Sequence, residues 1–375
     1  MKKLALVLGS LLVIGSAASA KEVMPAPMPE PEVKIVEKPV EVIVYRDRVV
    51  EAPAKWRPNG SVDVQYRWYG ETENRVSGEK DGGEWARGRA NSGRLQAEAK
   101  INFTENQKID FRYRNFHTWA QGKNQKDYPK SKAEKDTIRL RHYYNFGKIA
   151  DTKVNATSRL VWDQKAGDGA KKLEASIGFN FADYLFNNDF VKTTNFTVRP
   201  LYAHKWTAHR GGGRKGAEVL GLNLESNFEF PYGFELEFKL EPTYTFYGTK
   251  QTISDKDGEN QREKKRAFDM DVTLILSNSV NLYTQDKFAL DFNFEGGYDP
   301  YSFHQYRIYD KEVGVKRSYS LYALPTLEAN YQATEFVKLY AGAGAEYRNW
   351  KIEDEDYATR WRWQPTAYAG MKVNF

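Results

Sequence analysis

Apolar and polar residues alternate along most of this chain, with a period of two that begins near Gly60 and continues to the last residue. In the first such segment one face is apolar, with Val62, Val64, Tyr66 and Trp68. The other face is polar, with Asp63, Gln65 and Arg67. Successive side chains of a β-strand point to opposite faces, so this period predicts strands and excludes amphipathic helices.

About fourteen such segments follow one another. Long charged or glycine-rich connections are expected at residues 70–92, 120–135, 163–171, 207–217, 248–266, 299–316 and 351–358. Mostly short turns lie between them, as at 104–107, 231–233 and 332–334. Two connections, 182–194 and 277–286, are longer than short turns, so either the strand count slips there or a small extra element is present. Long loops alternating with short turns are typical of a transmembrane barrel.

Composition supports the same class of protein. Aromatic residues make up 14% of the chain, yet 28% is charged and the mean hydropathy is −0.72. After the first residues no apolar stretch approaches 18 residues, which excludes a helical membrane protein. We therefore predict an all-β fold, a transmembrane antiparallel β-barrel of about 14 strands over residues 59–375, in the bacterial outer membrane. The net charge of +6 is small for this length and does not indicate a nucleic-acid partner.

The first residues predict export. Lys2 and Lys3 precede an apolar run of about a dozen residues that is too short to cross a bilayer, and small residues end at Ala20. Residues 1–20 therefore form a predicted cleavable signal peptide. Residues 21–58 are rich in Pro, Glu and Val, which predicts an extended periplasmic stem or linker, or else a disordered leader with no role. The chain has no cysteine, so neither a lipid anchor on Cys nor a disulfide framework is available.

Aromatic residues concentrate at the ends of the predicted strands. Tryptophans with lipid-facing parity are expected to form a girdle at the loop ends, at Trp68, Trp119, Trp162, Trp206, Trp361 and Trp363. Phenylalanines mark the turn ends, and Phe375 ends the chain with Val373 and Met371 at alternate positions before it. This ending resembles the terminal strand signal by which outer-membrane proteins are recognised for insertion.

Four prolines oppose the barrel prediction, at Pro200, Pro242, Pro325 and Pro365. Each lies inside a predicted strand and removes one backbone donor, while a closed barrel has no edge strand to host it. We expect a bulge or local bend at each of them.

Charged residues on the polar face would line the lumen. Strands three to five supply basic side chains almost unopposed, at Arg112, Arg114, Arg139, Arg141 and Arg159. Strands eight to eleven supply acidic ones, at Glu225, Glu229, Glu235, Glu237, Glu241, Asp269, Asp271, Asp291 and Glu295. One hypothesis is that the two sectors face each other and create a transverse field that orients dipolar solutes and sets ion preference. The alternative is a solvated wall whose charges pair with their neighbours.

The leader, the Pro/Glu/Val stem, the barrel period and the terminal phenylalanine together resemble one family. The chain is similar to the fusobacterial major outer-membrane porins (FomA family), also in the stretch from Lys21 through Val44 to Arg48. The resemblance implies a trimeric, voltage-sensitive general porin that also serves as a surface antigen and adhesin. We therefore expect a general diffusion porin for ions and small hydrophilic solutes, whose partners are outer-membrane lipid, two further copies of the chain, and host or bacterial surface molecules at the outer loops.

Other functions are less well supported by the sequence. The five histidines include no pair with metal-ligand spacing, and no set of Ser, His and carboxylate residues marks an outer-membrane lipase. We therefore expect no cofactor, no metal and no enzymatic activity. Two alternatives stay open: a substrate-specific channel, and an adhesin barrel with little role in transport.

Overall fold

The computed structural model describes residues 56–70, 92–118, 137–165, 170–207, 215–254, 261–304, 318–351 and 360–375. They form a closed barrel of fourteen antiparallel strands in which each strand pairs with its neighbours in sequence. The strands are β1 (Asn59–Tyr69), β2 (Ser92–Asn102), β3 (Gln107–Thr118), β4 (Thr137–Lys148), β5 (Asn155–Lys165), β6 (Lys171–Asn180), β7 (Lys192–Thr207), β8 (Lys215–Phe230), β9 (Phe234–Ser254), β10 (Gln261–Gln285), β11 (Phe288–His304), β12 (Ser318–Gln332), β13 (Val337–Lys351) and β14 (Arg360–Asn374). The predicted fold class and strand number are confirmed.

The barrel closes where β1 pairs with β14. Their ladder runs from Ser61 opposite Asn374 to Tyr69 opposite Thr366. At one end of it Phe375 and Gly60 exchange two backbone hydrogen bonds, of 2.8 and 3.0 Å. Closure leaves the sheet without an edge strand, so ladder hydrogen bonds satisfy the backbone without help from water.

Large apolar side chains cover the outer surface of the barrel. Exposed positions near the middle of the strands include Val64, Leu95, Leu140, Leu160, Ile177, Leu220, Leu274, Leu327 and Met371. A continuous apolar belt of this kind is costly in water and favourable in hydrocarbon. The chain is therefore an outer-membrane β-barrel. Among the described residues, no helix has the length and hydropathy of a transmembrane span.

The two rims of the barrel differ. One, the turn rim, carries the connections 103–106, 149–154, 181–191, 231–233, 286–287 and 333–336; the other is the loop rim. The region 182–194 does contain a small extra element, a 3₁₀ turn at Ala182–Tyr184. In the region 277–286 the strand count does not slip and there is no extra element. Instead β10 continues to Gln285, and a two-residue turn follows.

Strands β9 and β10 extend beyond their predicted ends. β9 has 21 residues and β10 has 25, so most of the predicted loop 248–266 is paired strand. Likewise β11 continues to His304, inside the predicted loop 299–316. A transmembrane strand needs only about ten residues, so these strands run beyond the hydrocarbon at the loop rim. A hairpin in water needs no apolar face, so its polar sequence lacks the period of two that predicts a strand.

The prolines are accommodated without bulges. Around Pro200, Pro242 and Pro325, pairing with one neighbouring strand is interrupted and then resumes in the same register. Pro365 stays paired with β13, and its carbonyl accepts a hydrogen bond from the Gly70 amide. Of the two expected alternatives, a bulge is wrong at these positions, because a missing donor removes a ladder contact but adds no residue to the strand. A local bend at each proline stays a prediction. Register shifts lie elsewhere, for example beside Gly147.

Several predictions fall outside the described residues. These are the signal peptide at 1–20, all but the last three residues of the stem at 21–58, Trp119, and most of the seven long connections. Trp361 lies in β14, but its side chain is outside the described part of the structure.

Candidate functional site

The candidate site is the inner wall of the barrel. Predicted basic residues lie on β3 (Arg112, Arg114), β4 (Arg139, Arg141) and β5 (Arg159). Predicted acidic residues lie on β8 (Glu225, Glu229), β9 (Glu235, Glu237, Glu241), β10 (Asp269, Asp271) and β11 (Asp291, Glu295). They alternate with exposed apolar neighbours such as Phe111 and Leu140, which are 38% and 42% exposed on the outer surface. This alternation directs the charges inward.

Three arginines line one concave part of the wall, and we call them the arginine cluster: Arg112, Arg139 and Arg141. Arg112 and Arg139 are direct partners across the β3–β4 ladder. With Lys172 and Lys205, the cluster lines a cavity of about 520 Å³. Like charges facing each other across a ladder destabilise a sheet, so the fold tolerates this arrangement at a cost.

The arginine cluster has few protein partners. The Nε atoms of all three arginines are buried, and among the described residues none has a hydrogen-bond partner. Asp163 lines the same cavity, but its carboxylate forms an ion pair with Lys172 Nζ at 3.5 Å. Arg114, next to the cluster, donates from Nε to Gln96 Oε1 at 2.7 Å.

Each member of the arginine cluster also faces a carboxylate across a ladder: Arg112 faces Glu98, Arg141 faces Asp110 and Arg139 faces Asp163. Among the described residues, none of these carboxylates forms an ion pair with the cluster, and Asp110 and Asp163 pair with lysines instead. The cluster therefore presents guanidinium groups that carboxylates approach but do not bind directly.

Arg159 behaves differently from the other predicted arginines. Its Nη1 lies 2.8 Å from Glu225 Oε1, and its Nη2 lies 3.0 Å from Glu174 Oε1. Glu225 also accepts from Arg199 Nε at 3.3 Å. The expectation that Arg159 is almost unopposed is therefore wrong. A long arginine reaches from β5 past two strands to β8, so the basic and acidic sectors meet here as a buried ion-pair network.

The acidic sector is extensively hydrogen-bonded. Glu229 pairs with Lys192 at 3.2 Å, and Glu237 with Lys239. Glu241 accepts from Asn223 at 3.0 Å. Asp291 accepts from Asn281 and Asn330, each at 2.7 Å, and Glu295 accepts from the Tyr322 hydroxyl at 2.7 Å. For these carboxylates the alternative of a wall whose charges are satisfied by neighbours describes the contacts well.

The two sectors lie on opposing arcs of the wall. In the closed strand order β10 and β11 lie half-way round the barrel from β3 and β4. Fourteen strands spaced about 4.8 Å apart and tilted about 40° give a backbone radius of roughly 14 Å. A second cavity, of about 310 Å³, brings Arg67 of β1 together with Glu235 and Glu295. The predicted basic and acidic sets thus centre on opposite arcs, but they meet where Arg159 binds Glu225 and where Arg67 shares a cavity with acidic residues.

Several charged lumen residues lie outside the basic and acidic sets predicted from the sequence. Arg67 and Arg94 are direct partners across the β1–β2 ladder. Glu174 and Arg199 complete the Arg159 network, and Arg348 pairs with Glu346 at 2.8 Å. They share the inward parity of the predicted residues, so the period of two could have identified them. Only their contacts required the structure.

Tyrosines form a packed part of the lumen wall between β12 and β1. The Tyr368 hydroxyl donates to Glu328 at 2.9 Å, and the Arg67 guanidinium lies 4.5 Å from the centre of its ring. The ring covers Gly342, where an added Cβ would lie 2.4 Å from Tyr368 Cζ. Tyr340 covers Gly370 in the same way. Glycine on one strand therefore makes room for a tyrosine laid flat against the wall from the next.

The predicted girdle residues whose side chains the structure describes lie near the rims of the outer surface. Trp68 and Trp363 are each 38% exposed and Phe375 is 51% exposed. Trp162 and Trp206 lie on β5 and β7 with ring centres 5.9 Å apart. Beside Trp206, Glu218 accepts from the Tyr202 hydroxyl and lies 2.6 Å from His204 Nδ1. Within the described ranges, no cluster of three or more His, Cys, Asp or Glu side chains could hold a metal ion.

Comparisons with known proteins add little beyond this geometry. No protein-family model and no curated protein matches the sequence. Among solved structures, the chain is similar to a bacterial polysaccharide outer-membrane secretin at 12% identity, covering 84% of this chain and 98% of the other, with a TM-score of 0.38. An anion-selective porin from Comamonas acidovorans gives 10% identity, 85% and 99% coverage, and a TM-score of 0.32. The outer-membrane channel DcaP of Acinetobacter baumannii gives 9% identity, 85% and 96% coverage, and 0.32.

Proposed function

We propose that this protein is a general diffusion porin, a water-filled channel that passes ions and small hydrophilic solutes across the outer membrane. The observation that carries the proposal is the opposition of the two barrel surfaces, apolar outside and densely charged inside. Charged side chains on an inner wall need water or counter-ions to offset the cost of leaving bulk solvent. A fourteen-strand barrel is wide enough to hold both, whereas one of eight strands is filled by its own side chains.

Conductance of purified protein in planar lipid bilayers tests this function. A diffusion porin gives discrete current steps in KCl, and liposome swelling rates fall smoothly as the size of the sugar or amino acid increases. An adhesin barrel with a filled lumen gives no steps, which would exclude the proposal. A substrate-specific channel gives steps but admits one solute class much faster than others of equal size.

The distribution of lumen charge predicts ion preference. Replacing Arg112, Arg114, Arg139 and Arg141 together by glutamine removes four positive charges from β3 and β4 and leaves the opposing acidic arc intact. We expect the reversal potential in a KCl gradient to shift toward cation selectivity. Replacing Glu235, Glu237, Asp269 and Asp271 by their amides is the matched control and should shift it toward anions. Unchanged potentials in both variants would refute the role of the charged arcs.

From the resemblance to the fusobacterial porins we infer three further properties: assembly as a homotrimer, closure at high voltage, and adhesion to host or bacterial surfaces through the loop rim. The apolar outer wall is compatible with contacts between copies in the membrane. Analytical ultracentrifugation in detergent tests the trimer, and voltage ramps in the bilayer experiment test closure. Adhesion is tested by comparing how whole cells with and without the protein bind to host or bacterial surfaces.

A further inference from the structure

We propose that the arginine cluster forms a saturable binding site for phosphate groups, carried by inorganic phosphate or by a phosphomonoester, on the β3–β7 wall. This inference rests on the proposed channel function, because the ligand reaches the cluster through the lumen. It goes beyond passive diffusion, because a site that binds its solute enriches that solute in the channel over others of the same size.

The lack of an ion pair among the described residues separates this cluster from three other lumen arginines. Arg159, Arg199 and Arg348 each contact a carboxylate, at 2.8, 3.3 and 2.8 Å. In the described part of the chain, Glu98, Asp110 and Asp163 lie opposite the cluster across the ladders but form no ion pair with it. The buried Nε donors of the cluster have no acceptor there. Arg139 is repelled by both other members, and Asp163 offsets part of this repulsion. A buried donor without an acceptor is costly, and an anion that accepts from it relieves both the lost hydrogen bond and the repulsion.

The chemistry of the cluster favours phosphate over a monovalent anion. Guanidinium groups remain charged at all relevant pH values and bind phosphate oxygens through two parallel hydrogen bonds. Three of them, with Lys172 and Lys205 at the edge of the same cavity, match an anion with at least two charges and several acceptor oxygens. The cavity volume of about 520 Å³ also accommodates a phosphate group with a small organic substituent.

Phosphate titration of single-channel currents tests the site. At constant ionic strength and pH 8, inorganic phosphate should lower the chloride current with saturation, whereas acetate should change it only linearly. Arg112→Gln, Arg139→Gln and Arg141→Gln in one variant should raise the half-saturating phosphate concentration at least tenfold. The corresponding triple lysine variant keeps the charge but loses the forked donors. Its half-saturating phosphate concentration should lie between that of the unmodified protein and that of the triple glutamine variant.

A matched control separates a binding site from overall lumen charge. Lys108→Gln, Lys192→Gln and Lys338→Gln together remove the same charge from the turn-rim ends of β3, β7 and β13. This control should retain the half-saturating concentration within about twofold. Equal shifts in both variants, or no saturation in the unmodified protein, would overturn the proposal.

Two outcomes keep this inference distinct from the proposed function. Chloride steps without phosphate saturation would leave a diffusion porin and remove the site, whereas absence of any steps would remove the channel itself. If the triple glutamine variant does not fold, as judged by heat-dependent migration in gels, Arg141→Gln alone is measured. It should still raise the half-saturating concentration severalfold, and an unchanged value would count against the site.

Discussion

The substitution Glu225→Gln should destabilise the barrel strongly, because Glu225 bonds to two buried arginines. Its Oε1 accepts from Arg159 and Arg199, whose side chains are 11% and 6% exposed, and Glu225 itself is 15% exposed. Removing one partner of a buried ion pair costs about 3–5 kcal/mol. The substituted amide keeps a neutral acceptor, and Arg159 keeps Glu174, so we expect about 2–4 kcal/mol from one or two weakened charge-assisted hydrogen bonds.

The measurement is urea-dependent unfolding in lipid vesicles, followed by tryptophan fluorescence. Glu229→Gln on the same strand is the control, since its Lys192 partner and Glu229 are 58% and 47% exposed. Exposed pairs of this kind contribute about 0–1 kcal/mol. If Glu225→Gln and Glu229→Gln lower the free energy of unfolding equally, the buried network does not stabilise the wall as reasoned.

One substitution and one deletion test the packing of the lumen wall and the seam, where β1 pairs with β14. Gly342→Ala should cost about 1–3 kcal/mol through overpacking against Tyr368, and the cost should disappear in a Tyr368→Ala background, as measured by the same unfolding assay. Equal costs in both backgrounds would argue against the contact. Deleting Phe375 removes two backbone hydrogen bonds with Gly60, so folding into vesicles should slow severalfold in gel-shift kinetics. Wild-type kinetics would show that these bonds form after the rate-limiting step.

The period of two predicted the architecture because the membrane enforces it at each spanning residue. Val64 and Gln65 cannot exchange faces without placing an amide in hydrocarbon, so parity reports orientation directly. Outside the hydrocarbon this constraint ends. The extended hairpin of β9 and β10 includes polar pairs such as Lys250 with Glu263, and nothing in their composition distinguishes paired strand from loop.

Parity was sufficient to place charges on the inner wall but not to pair them. Arg159 and Arg139 have the same orientation and similar neighbours in sequence. Arg159 forms ion pairs with Glu225 and Glu174 at 2.8 and 3.0 Å, whereas Arg139 forms none with the described residues. The difference depends on side-chain reach across two intervening strands and on the register of β5 through β8. The alternation of apolar and polar residues predicts neither the side-chain reach nor the strand register.

The β1–β14 seam has a consequence for assembly. Gln364 hydrogen-bonds to Gly70 although the two lie 294 residues apart in sequence, and closing a loop of that length costs about 5 kcal/mol of chain entropy. Until the two strands meet, each presents a row of unsatisfied amides and carbonyls that hydrocarbon does not tolerate. A half-built wall is therefore no intermediate that lipid alone can stabilise. Insertion must therefore be nearly all-or-none, or it needs an assembly factor that temporarily hydrogen-bonds to the open strand edges.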